Sequence, residues 1–500
     1  MKKAVFLFYI FLQFAVCFLL FAGEDSVYVI RSFVYEVDGI TRPFALNSKA
    51  QFREGEEITG LSNLHGFIQN KTQILINERV LESVRIEHHI DTPGNNGKYP
   101  VDLVIYIKDS RNFIVLPQPQ YSTNSGLSLY LKARDYNFLG TMNPLRIDLG
   151  YRYNEHQQHF YSLLFDSDTP FRAFGLNWNF DFDHFLEYRP HFESPLYYRN
   201  TTGLSVQLPF KRTLFIAGFS QSLYINEENW GHFWEEYGQF QELYMSSRPY
   251  FVWIIPTGIK YYDLGEVHYI PSFSATFNYG LPQWPLADYR IGPELNFSHS
   301  LSFGRIDWIG NFKRGASFGL SNSIGYNFYQ NRIDGQPWSS NINFTGTGFF
   351  ILNDYTNFSG RLMYRHWFFD AHHGDGGDVI RGIPNHGINT DYMLSLNLDL
   401  NFFVLKVRSS ELFPNSKFMS IFDADIHLVP ILDIAFYNDP ITHKPFGLEN
   451  MLIGSGFELI VYSSRWRSLY LRGSAAAGIQ TGNFGAGLSR EIYIGMEFHY

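Results

Sequence analysis

The sequence is short of cysteine and of charge, and both shortages exclude classes of protein. Among 500 residues the only cysteine is Cys17, so the chain has no pair of thiols for a disulfide or a thiolate metal site. Charged residues make up 17%, against about 25% in an average soluble protein. The formal net charge of −9 gives no support for a basic surface that binds nucleic acid.

Long apolar runs are also missing beyond residue 22. A membrane-spanning helix needs roughly 20 consecutive apolar residues, and no such run occurs there, which excludes a helical membrane bundle. Aromatic residues are abundant, at 18%, and this excludes disorder because so many large side chains must be buried. What remains is a chain rich in aromatics and in glycine, which are typical of β structure with many turns.

Residues 1–22 have the pattern of a secretory signal peptide. Lys2 and Lys3 precede an apolar stretch that ends at Phe21, and the small residues Ala22 and Gly23 follow. A charged start, an apolar middle and a small-residue cleavage zone are typical of such peptides. An uncleaved anchor helix is the alternative. The pattern predicts an exported protein of bacterial type whose mature chain contains no cysteine.

Residues 23–110 predict a small α+β domain. The predicted elements, in order, are a strand at 27–37, helical spacing at 58–68 and at 76–84, and strands at 84–90 and 101–108. Glu56 and Glu57 are expected at the start of the first helix, where negative charge complements the helix dipole. A dense turn cluster at 92–97 joins the last two strands. The expected order is therefore β-α-α-β-β.

Residues 111–500 alternate between apolar and polar side chains. Clear examples are Leu145–Tyr153, Leu176–Phe182, Leu396–Phe402 and Ile492–Tyr500. Such strands form either a soluble sandwich with its apolar face inward or a transmembrane barrel with its apolar face toward lipid. The export signal, the aromatics near strand ends and the lack of a linker favour an antiparallel transmembrane barrel. At about 9–11 residues per strand plus a connection, 16 strands are predicted.

Three motifs in this segment carry a family resemblance. They are Val379-Ile380-Arg381-Gly382-Ile383 after a Gly-rich loop, Ile431-Leu432-Asp433-Ile434-Ala435, and the terminal Tyr493-x-Gly495-x-x-Phe498-x-Tyr500. With the preceding α+β domain, they resemble the BamA/TamA superfamily of outer-membrane proteins, which join POTRA domains to a bacterial surface antigen barrel. Residues 23–110 resemble a single POTRA domain.

Each motif is similar to a known feature of that superfamily. The first is similar to the Val-Arg-Gly-Phe/Tyr signature of a loop that folds back into the lumen, although Ile380 and Ile383 depart from the usual residues. The second is similar to the Phe-x-Asp-x-Gly strand whose carboxylate faces that arginine, with Ala435 in place of glycine. The third is similar to the C-terminal β-signal that the assembly machinery recognises.

The resemblance implies an outer-membrane location with the N-terminal domain in the periplasm. It implies insertion or translocation of polypeptide, without catalysis, cofactor or metal. The expected partners are outer-membrane lipid, unfolded outer-membrane proteins or secreted polypeptide, and periplasmic or lipoprotein accessory subunits. A passive channel or a surface antigen or adhesin on the same scaffold is the alternative. A barrel enzyme is a third class, but no common catalytic motif occurs.

Two groups of polar residues have a chemical interpretation of their own. A guanidinium inside a barrel needs a carboxylate to offset its desolvation, so Arg381 is predicted to pair with Asp433 and with Asp399. Gly382 would allow a close backbone approach. A solvent-exposed Arg-Gly in a surface loop is the alternative. The adjacent histidines at 372–373, which lie beside acidic residues in a Gly-rich loop, indicate a solvated loop rather than a metal site.

The seam between the first and last strands is predicted to be weak. The first strand, at 113–123, contains Pro117 and Pro119, and each proline removes a hydrogen-bond donor. The last strand carries Gly495, and the strand before it is rich in glycine and alanine at 473–478. Such a seam could open laterally and pair with an incoming strand. The alternative is that both prolines lie in a linker before the barrel.

Overall fold

The computed structural model describes residues 26–498 except 95–96, 124–125, 155–156, 193, 227–241, 262–263, 287–289, 333–334, 370–373, 376–378, 384–388, 415–418, 439–449, 465–468 and 481–486. The predicted signal peptide at 1–22 and the terminal Tyr500 therefore lie outside the described residues. The chain forms two compact units, residues 1–110 and 111–500. No helix in the described part of the chain is long and apolar enough to cross a membrane.

The N-terminal unit is an α+β domain with a four-stranded sheet. Its elements are β1 Val27–Asp38, α1 Pro43–Ala50, β2 Glu57–Thr59, α2 Leu61–Asn77, β3 Leu81–Ile90 and β4 Tyr99–Asp109. The strand order is β2-β1-β4-β3, in which β1 and β4 are parallel and the other pairs antiparallel. Alternate residues of β4 and one side of each helix form the core: Val101, Leu103, Ile105, Ile107, Leu46, Leu64 and Leu75.

The helices of this unit differ from those that the sequence predicted. Helix α1 has Pro43 in its first turn, where a missing N–H costs nothing, and it was not predicted. Residues 57–59 form β2 and not the start of a helix. The helical spacing predicted at 76–84 is wrong, because α2 ends at Asn77 and β3 begins at Leu81. Three apolar residues at helical spacing cannot distinguish one helix from a helix end followed by a strand.

The C-terminal unit is a closed barrel of 18 strands. They are β5 Phe113–Ser122, β6 Gly126–Asp135, β7 Leu145–Tyr153, β8 His159–Ala173, β9 Leu176–Tyr188, β10 Leu196–Phe210, β11 Thr213–Ile225, β12 Leu243–Lys260, β13 Glu266–Gly280, β14 Glu294–Ile309, β15 Phe312–Asn327, β16 Trp338–Asn353, β17 Thr356–Phe368, β20 Tyr392–Val407, β21 Ala424–Tyr437, β22 Met451–Ser463, β23 Leu469–Gln480 and β24 Gly487–Phe498.

Short elements lie in several connections of the barrel. Strands β18 Gly374–Asp375 and β19 Asn389–Thr390 form a two-stranded ladder between β17 and β20. Helix α3 Phe328–Arg332 follows β15, and helix α4 Ser409–Leu412 follows β20. All neighbouring barrel strands are antiparallel, and β24 pairs with β5 to close the ring.

The prediction of 16 strands is wrong. It allowed a full connection after every strand, whereas the turns at 174–175, 211–212, 310–311 and 354–355 contain only two residues each. Two-residue turns are common in hairpins because their twist matches that of the flanking strands. Shorter turns leave more residues for strands, and the barrel has two strands more than predicted.

The barrel exposes its apolar face. On β6, Leu127, Leu129 and Leu131 are exposed, whereas Ser128 between them is buried. On β21, Leu432 is exposed and its neighbour Asp433 is fully buried. Polar side chains therefore face the lumen and apolar side chains face outward, which is the arrangement of a barrel in lipid. A soluble sandwich would have the opposite arrangement, and the closed strand order excludes it.

Candidate functional site: a luminal loop and the barrel seam

Residues 379–383, from the connection between β17 and β20, pack against the inside of the barrel. Val379, Ile380 and Ile383 are buried in one apolar cluster. The strands contribute Met363, Met393, Ala435, Tyr437 and Leu452 to it. Ala435 is two positions from the lumen-facing Asp433, so it lies on the same face of β21. Burial of these side chains holds the loop segment in the lumen.

Arg381 donates three hydrogen bonds to Asp433. Its backbone N–H reaches Oδ2 at 3.0 Å, Nε reaches Oδ2 at 2.8 Å, and Nη2 reaches Oδ1 at 2.6 Å. The two side-chain bonds give the bidentate geometry that makes arginine–carboxylate pairs strong and directional. Because Asp433 is fully buried, the carboxylate depends on these bonds to offset the cost of leaving water.

Two further carboxylates surround the same guanidinium. Nη2 of Arg381 lies 2.7 Å from Oδ1 of Asp399, and Nη1 lies 3.1 Å from Oε1 of Glu458. Glu458 also accepts a hydrogen bond from Arg472. The result is a network of two arginines and three carboxylates on β20, β21, β22, β23 and the loop. The Arg381 side chain is only 22% exposed, unlike an arginine in a solvated surface loop.

Gly382 connects the loop to the last strand of the barrel. Its N–H donates to Oε2 of Glu491 at 2.9 Å, and its carbonyl accepts a hydrogen bond from Oγ of Ser489. Its φ is +88°, and a Cβ at this position would lie 2.8 Å from the carbonyl carbon of Ala477. Glycine is required both by the backbone conformation and by the close contact with β23.

The loop segment therefore cross-links the wall of the barrel from β20 to β24. A cavity of about 760 Å³ lies beside it, lined by both signs of charge, including Arg361, Arg381, Asp399, Glu458, Arg472 and Glu491. No group of three histidine, cysteine or acidic side chains in the described residues could hold a metal. The predicted solvated loop at 372–373 lies outside those residues. The arrangement is suited to holding strands in position.

The seam between β24 and β5 is short. The two strands share only two register pairs among the described residues, Tyr493 with Ser122 and Ile494 with Tyr121. One backbone bond, from Thr123 N–H to the Ile492 carbonyl at 3.2 Å, extends the contact. On its other edge, β5 forms ten register pairs with β6. The barrel is closed at this point by far fewer hydrogen bonds than at the next pair of strands.

Pro117 and Pro119 lie within β5, opposite β6 residues Leu131 and Leu129. The linker interpretation is therefore wrong for both. Tyr136 N–H donates to the Asn112 carbonyl, so even-numbered residues of β5 bond to β6 and odd-numbered residues face β24. Both prolines thus lack the N–H that would point across the seam. Continuing the observed register would place them opposite Met496 and Phe498.

The described residues of the C-terminal motif lie on β24. Tyr493 packs under the guanidinium of Arg472, which lies 5.5 Å from the centre of its ring. A Cβ at Gly495 would be 2.7 Å from the Tyr493 ring carbon Cζ, so the glycine leaves room for that ring. Phe498 is the last residue of β24. The motif forms one strand of the seam and also contacts the arginine network.

Several residues of this site were not predicted from the sequence. Glu458, Arg472, Ser489 and Glu491 all contact the loop or its partners. The available signal was a charged side chain at a lumen-facing position of an otherwise apolar strand, as at Glu458. Which of these strands faces the loop depends on barrel closure, and alternation along one strand carries no information about closure.

Comparisons with solved structures find matches, whereas comparisons of sequence find none. No family model matches the chain, and no curated protein matches it. CdiB from Acinetobacter baumannii is similar over 95% of this chain and 74% of its own, with 12% identity and a TM-score of 0.49. BamA from Haemophilus ducreyi lacking POTRA domains 1–3 is similar over 94% of this chain and 84% of its own, with 13% identity and a TM-score of 0.41. CdiB from Escherichia coli is similar over 95% of this chain and 92% of its own, with 10% identity and a TM-score of 0.41.

Proposed function

We propose that this chain is an outer-membrane barrel that inserts or translocates polypeptide through its β24–β5 seam. The observation that carries the proposal is the pairing of β5, with ten register pairs on one edge and two on the other. An incoming extended segment can pair with backbone groups that the seam leaves unused, as in β-augmentation.

The exterior of the barrel supports a membrane location. Large apolar side chains are exposed on almost every strand, for example Phe251 on β12, Phe297 on β14 and Phe457 on β22. In water, so large an apolar surface would cause aggregation. In lipid it is the expected exterior of a barrel. Burial of a substrate's own apolar face in lipid then supplies the free energy for insertion, without a nucleotide or covalent catalysis.

The luminal loop supports the proposal because it holds β24, one of the two strands of the seam, in position. Gly382 is bonded to Glu491 on β24, and Arg381 fixes the loop to β21 and β22. Strand β24 is therefore held from the lumen as well as by its twelve-pair ladder with β23. We infer that β5 moves when the seam opens and that β24 stays in place.

The N-terminal unit is proposed to be a POTRA-like periplasmic domain that delivers polypeptide or binds accessory subunits. Its edge strand β3, Leu81–Ile90, pairs only with β4 among the described strands. An unpaired edge of ten residues can bind an extended chain by strand addition. Its topology, with one parallel pair next to an antiparallel edge, is the feature that supports this part of the proposal.

The test is to lock the seam. Ser122 and Tyr493 face each other across it at a non-hydrogen-bonded pair, where the Cα atoms approach within disulfide range. The variant S122C/Y493C in liposomes should accelerate the folding of an unfolded barrel substrate when reduced and lose that acceleration when oxidised. The control T201C/S222C joins side chains that are 2.8 Å apart between β10 and β11, and oxidation there should have no effect.

Two results would count against the proposal. If the oxidised seam variant accelerates folding as well as the reduced one, the substrate does not enter through the seam. If the unmodified protein gives no acceleration over empty liposomes but conducts a large steady current in a planar bilayer, the chain is a passive channel. The alternative function would then replace the one proposed.

A further inference from the structure

The hairpin of β14 and β15 separates from its neighbouring strands before it reaches its turn at 310–311. On one side, Ser302 is the last residue of β14 that pairs with β13. On the other side, Gly315 is the first residue of β15 that pairs with β16. Beyond these points the described residues of the two strands pair only with each other. We call residues 305–314 the flap, because neither of its edges has a neighbouring strand in the described part of the barrel.

Two glycines stand at the base of the flap, one on each strand. The φ angle is +129° at Gly304 and +116° at Gly315, values that favour glycine. A Cβ at Gly304 would collide with the Ala316 carbonyl, and one at Gly315 would collide with the Arg305 carbonyl. Glycine within a strand often marks a bend or a close backbone approach. The hairpin therefore bends where it leaves its neighbours.

The flap lies against the luminal face of strands that are not its neighbours. Asn357 on β17 donates to the Lys313 carbonyl at 2.8 Å, past the intervening β16. Asn311 donates to Oδ2 of Asp425 on β21 at 2.9 Å. Asp425 lies on the same face of β21 as the luminal Asp433, because both are odd-numbered and the register of that strand is regular. The flap is therefore folded into the lumen at the end of the barrel where β5 begins.

An aromatic contact holds the flap at the same place. The ring of Phe312 meets that of His427 on β21 edge to face, with 5.3 Å between the ring centroids. Phe403 on β20 and Tyr462 on β22 contact the same histidine, at 5.4 and 4.8 Å. His427 is only 1% exposed, whereas a luminal side chain in a water-filled barrel would be wet. The flap and these rings therefore bury this part of the luminal wall.

The luminal wall under the flap is suited to release as well as to contact. Nε2 of His427 has no hydrogen-bond partner in the described residues, and burial of such an atom costs free energy that water would restore. Asp425 keeps a second partner, because Nη2 of Arg408 lies 3.0 Å from its Oδ1. Departure of the flap would thus hydrate the histidine and leave the aspartate paired. Both features reduce the free energy of opening.

The flap also borders the luminal cavity. Lys313 of the flap and Arg381 of the luminal loop both line that cavity. Arg381 is fixed to Asp433, whereas the flap is fixed to Asp425, nearer the start of β21. The cavity therefore lies between the flap and the luminal loop. In this position the flap narrows the path from the near end of the barrel into the cavity.

We propose that the flap is a lid on the lumen. It is closed while Asn311 and Phe312 contact β21, and it opens by a swing about Gly304 and Gly315, since a hinge needs only a few residues that absorb the change in backbone angles. The closed lid restricts the flow of ions through the barrel, and the open lid releases it. The lid rests on the membrane barrel proposed above and is independent of the seam.

The test compares one double variant in two states. N311C/D425C places two thiols where the native side chains meet, in the full chain, whose only native cysteine lies in the predicted signal peptide. A short, reducible crosslinker joins the thiols, and single-barrel current is recorded in planar bilayers. The reduced form has lost the native hydrogen bond and should carry a current several-fold larger than the unmodified protein. Crosslinking should return the current to the unmodified level, and a reductant should raise it again.

Two further variants separate movement of the flap from unrelated effects. T201C/S222C takes the same crosslinker between β10 and β11, and its current should not depend on the crosslink. N311A/F312A releases the flap without thiols and should also carry the larger current. Its matched control is F174A, which removes a 95% exposed aromatic from another two-residue turn at the same end and should leave the current unchanged. Gel mobility without heating checks that each barrel is folded.

The outcomes distinguish the lid from the function proposed above. Equal currents from the crosslinked and reduced forms of folded N311C/D425C would overturn the lid and leave the membrane barrel and its seam standing. An unchanged current in folded N311A/F312A would overturn it as well. If the unmodified protein and every variant fail to enter the bilayer, the membrane location is contradicted, and the lid falls with it.

Discussion

The two edges of β5 are paired to very different extents. Toward β6 the strand forms ten register pairs, and toward β24 it forms two. The difference follows from position in the sequence, because Pro117 and Pro119 are both odd-numbered and odd-numbered residues face β24. The same prolines shifted by one residue would have disrupted the β5–β6 hairpin instead. The spacing of two therefore weakens one edge of the strand and spares the other.

The two strands of the seam are also held differently. Strand β24 is bonded to the luminal loop through Glu491 and Ser489, and the loop is fixed to β21 by Arg381. The barrel thus combines a braced last strand with a first strand that is paired fully on one side only. A weak seam in a rigid wall can open locally, without loss of the barrel as a whole.

Removing the arginine should give the largest effect, because it releases the luminal loop from β21 and β22. In R381A the fully buried Asp433 loses its bidentate partner, and breaking a buried pair in this way costs about 3–5 kcal/mol. Urea unfolding in detergent micelles, followed by gel mobility, should show the loss. The control R199A removes an arginine that is 40% exposed and pairs with Asp183, where about 0–1 kcal/mol is expected. Equal losses in both variants would mean that the loop does not brace the wall.

The substitution G382A adds one methyl group and tests the luminal loop where it contacts β24. G382A combines a positive φ with a close contact to Ala477, and strain of this kind costs about 1–3 kcal/mol. The same unfolding assay should show a smaller loss than R381A. G473A on β23 is the matched control, because nothing lies within 4 Å of a Cβ there. A neutral G382A would show that the loop can move away from β23 and β24.

Replacing the two prolines should make the edges of β5 more alike. P117V/P119V restores two N–H donors on the seam, each worth about 0.5–1.5 kcal/mol net when paired. We expect slower folding of a barrel substrate in liposomes that contain this variant than in those with the unmodified protein. P209V, on the regular β10–β11 ladder, should leave the rate unchanged. An unchanged rate in the double variant would mean that the prolines do not set the opening of the seam.

The N-terminal sheet offers the smallest effect, which appears as a dependence of its stability on pH. Hydrogen bonds from Arg31 and then from Ser32 lower the pKa of Asp102 to about 2, from an ordinary value of about 3.9. The stability from this group is present above about pH 4 and is lost as the pH falls through about 2. Pepsin should therefore cut the N-terminal unit faster at pH 2 than at pH 4. In D102N this part of the pH dependence should disappear, and a difference that persists would assign it elsewhere.

Local periodicity predicted the strands well and the number of strands poorly. Alternation located β7, β9, β20 and β24, because side-chain direction along a strand depends only on the strand itself. Pro117 and Pro119 lie in the first strand of the barrel, as predicted. The number of strands depends on turn lengths, and a two-residue turn such as 211–212 leaves little trace between two alternating segments. Helix α1 was missed for a related reason: eight residues are too few for a clear helical period.

The candidate site was predictable in its charge but not in its full set of partners. A buried arginine requires a carboxylate, which pointed to Asp433 and Asp399, and both lie within 2.7 Å of the guanidinium. Glu458 and Glu491 are on strands whose position relative to the loop is fixed only when the barrel closes. Glu458 lies 77 positions after Arg381, and Glu491 lies 109 positions after Gly382. Partners at such a distance in sequence cannot be assigned to the loop from a single sequence.

Amide hydrogen exchange along β24 tests the weak seam most directly. Even-numbered residues of β24 direct their N–H groups toward β5, and odd-numbered residues direct them toward β23. The account predicts slow exchange at Ile494 and Gly495, which are paired. It predicts fast exchange at Met496, which has no register partner on β5 and would lie opposite Pro119 if the observed register continued. Protection of Met496 equal to that of Gly495 would show that the seam is closed beyond Tyr121, and it would contradict the account.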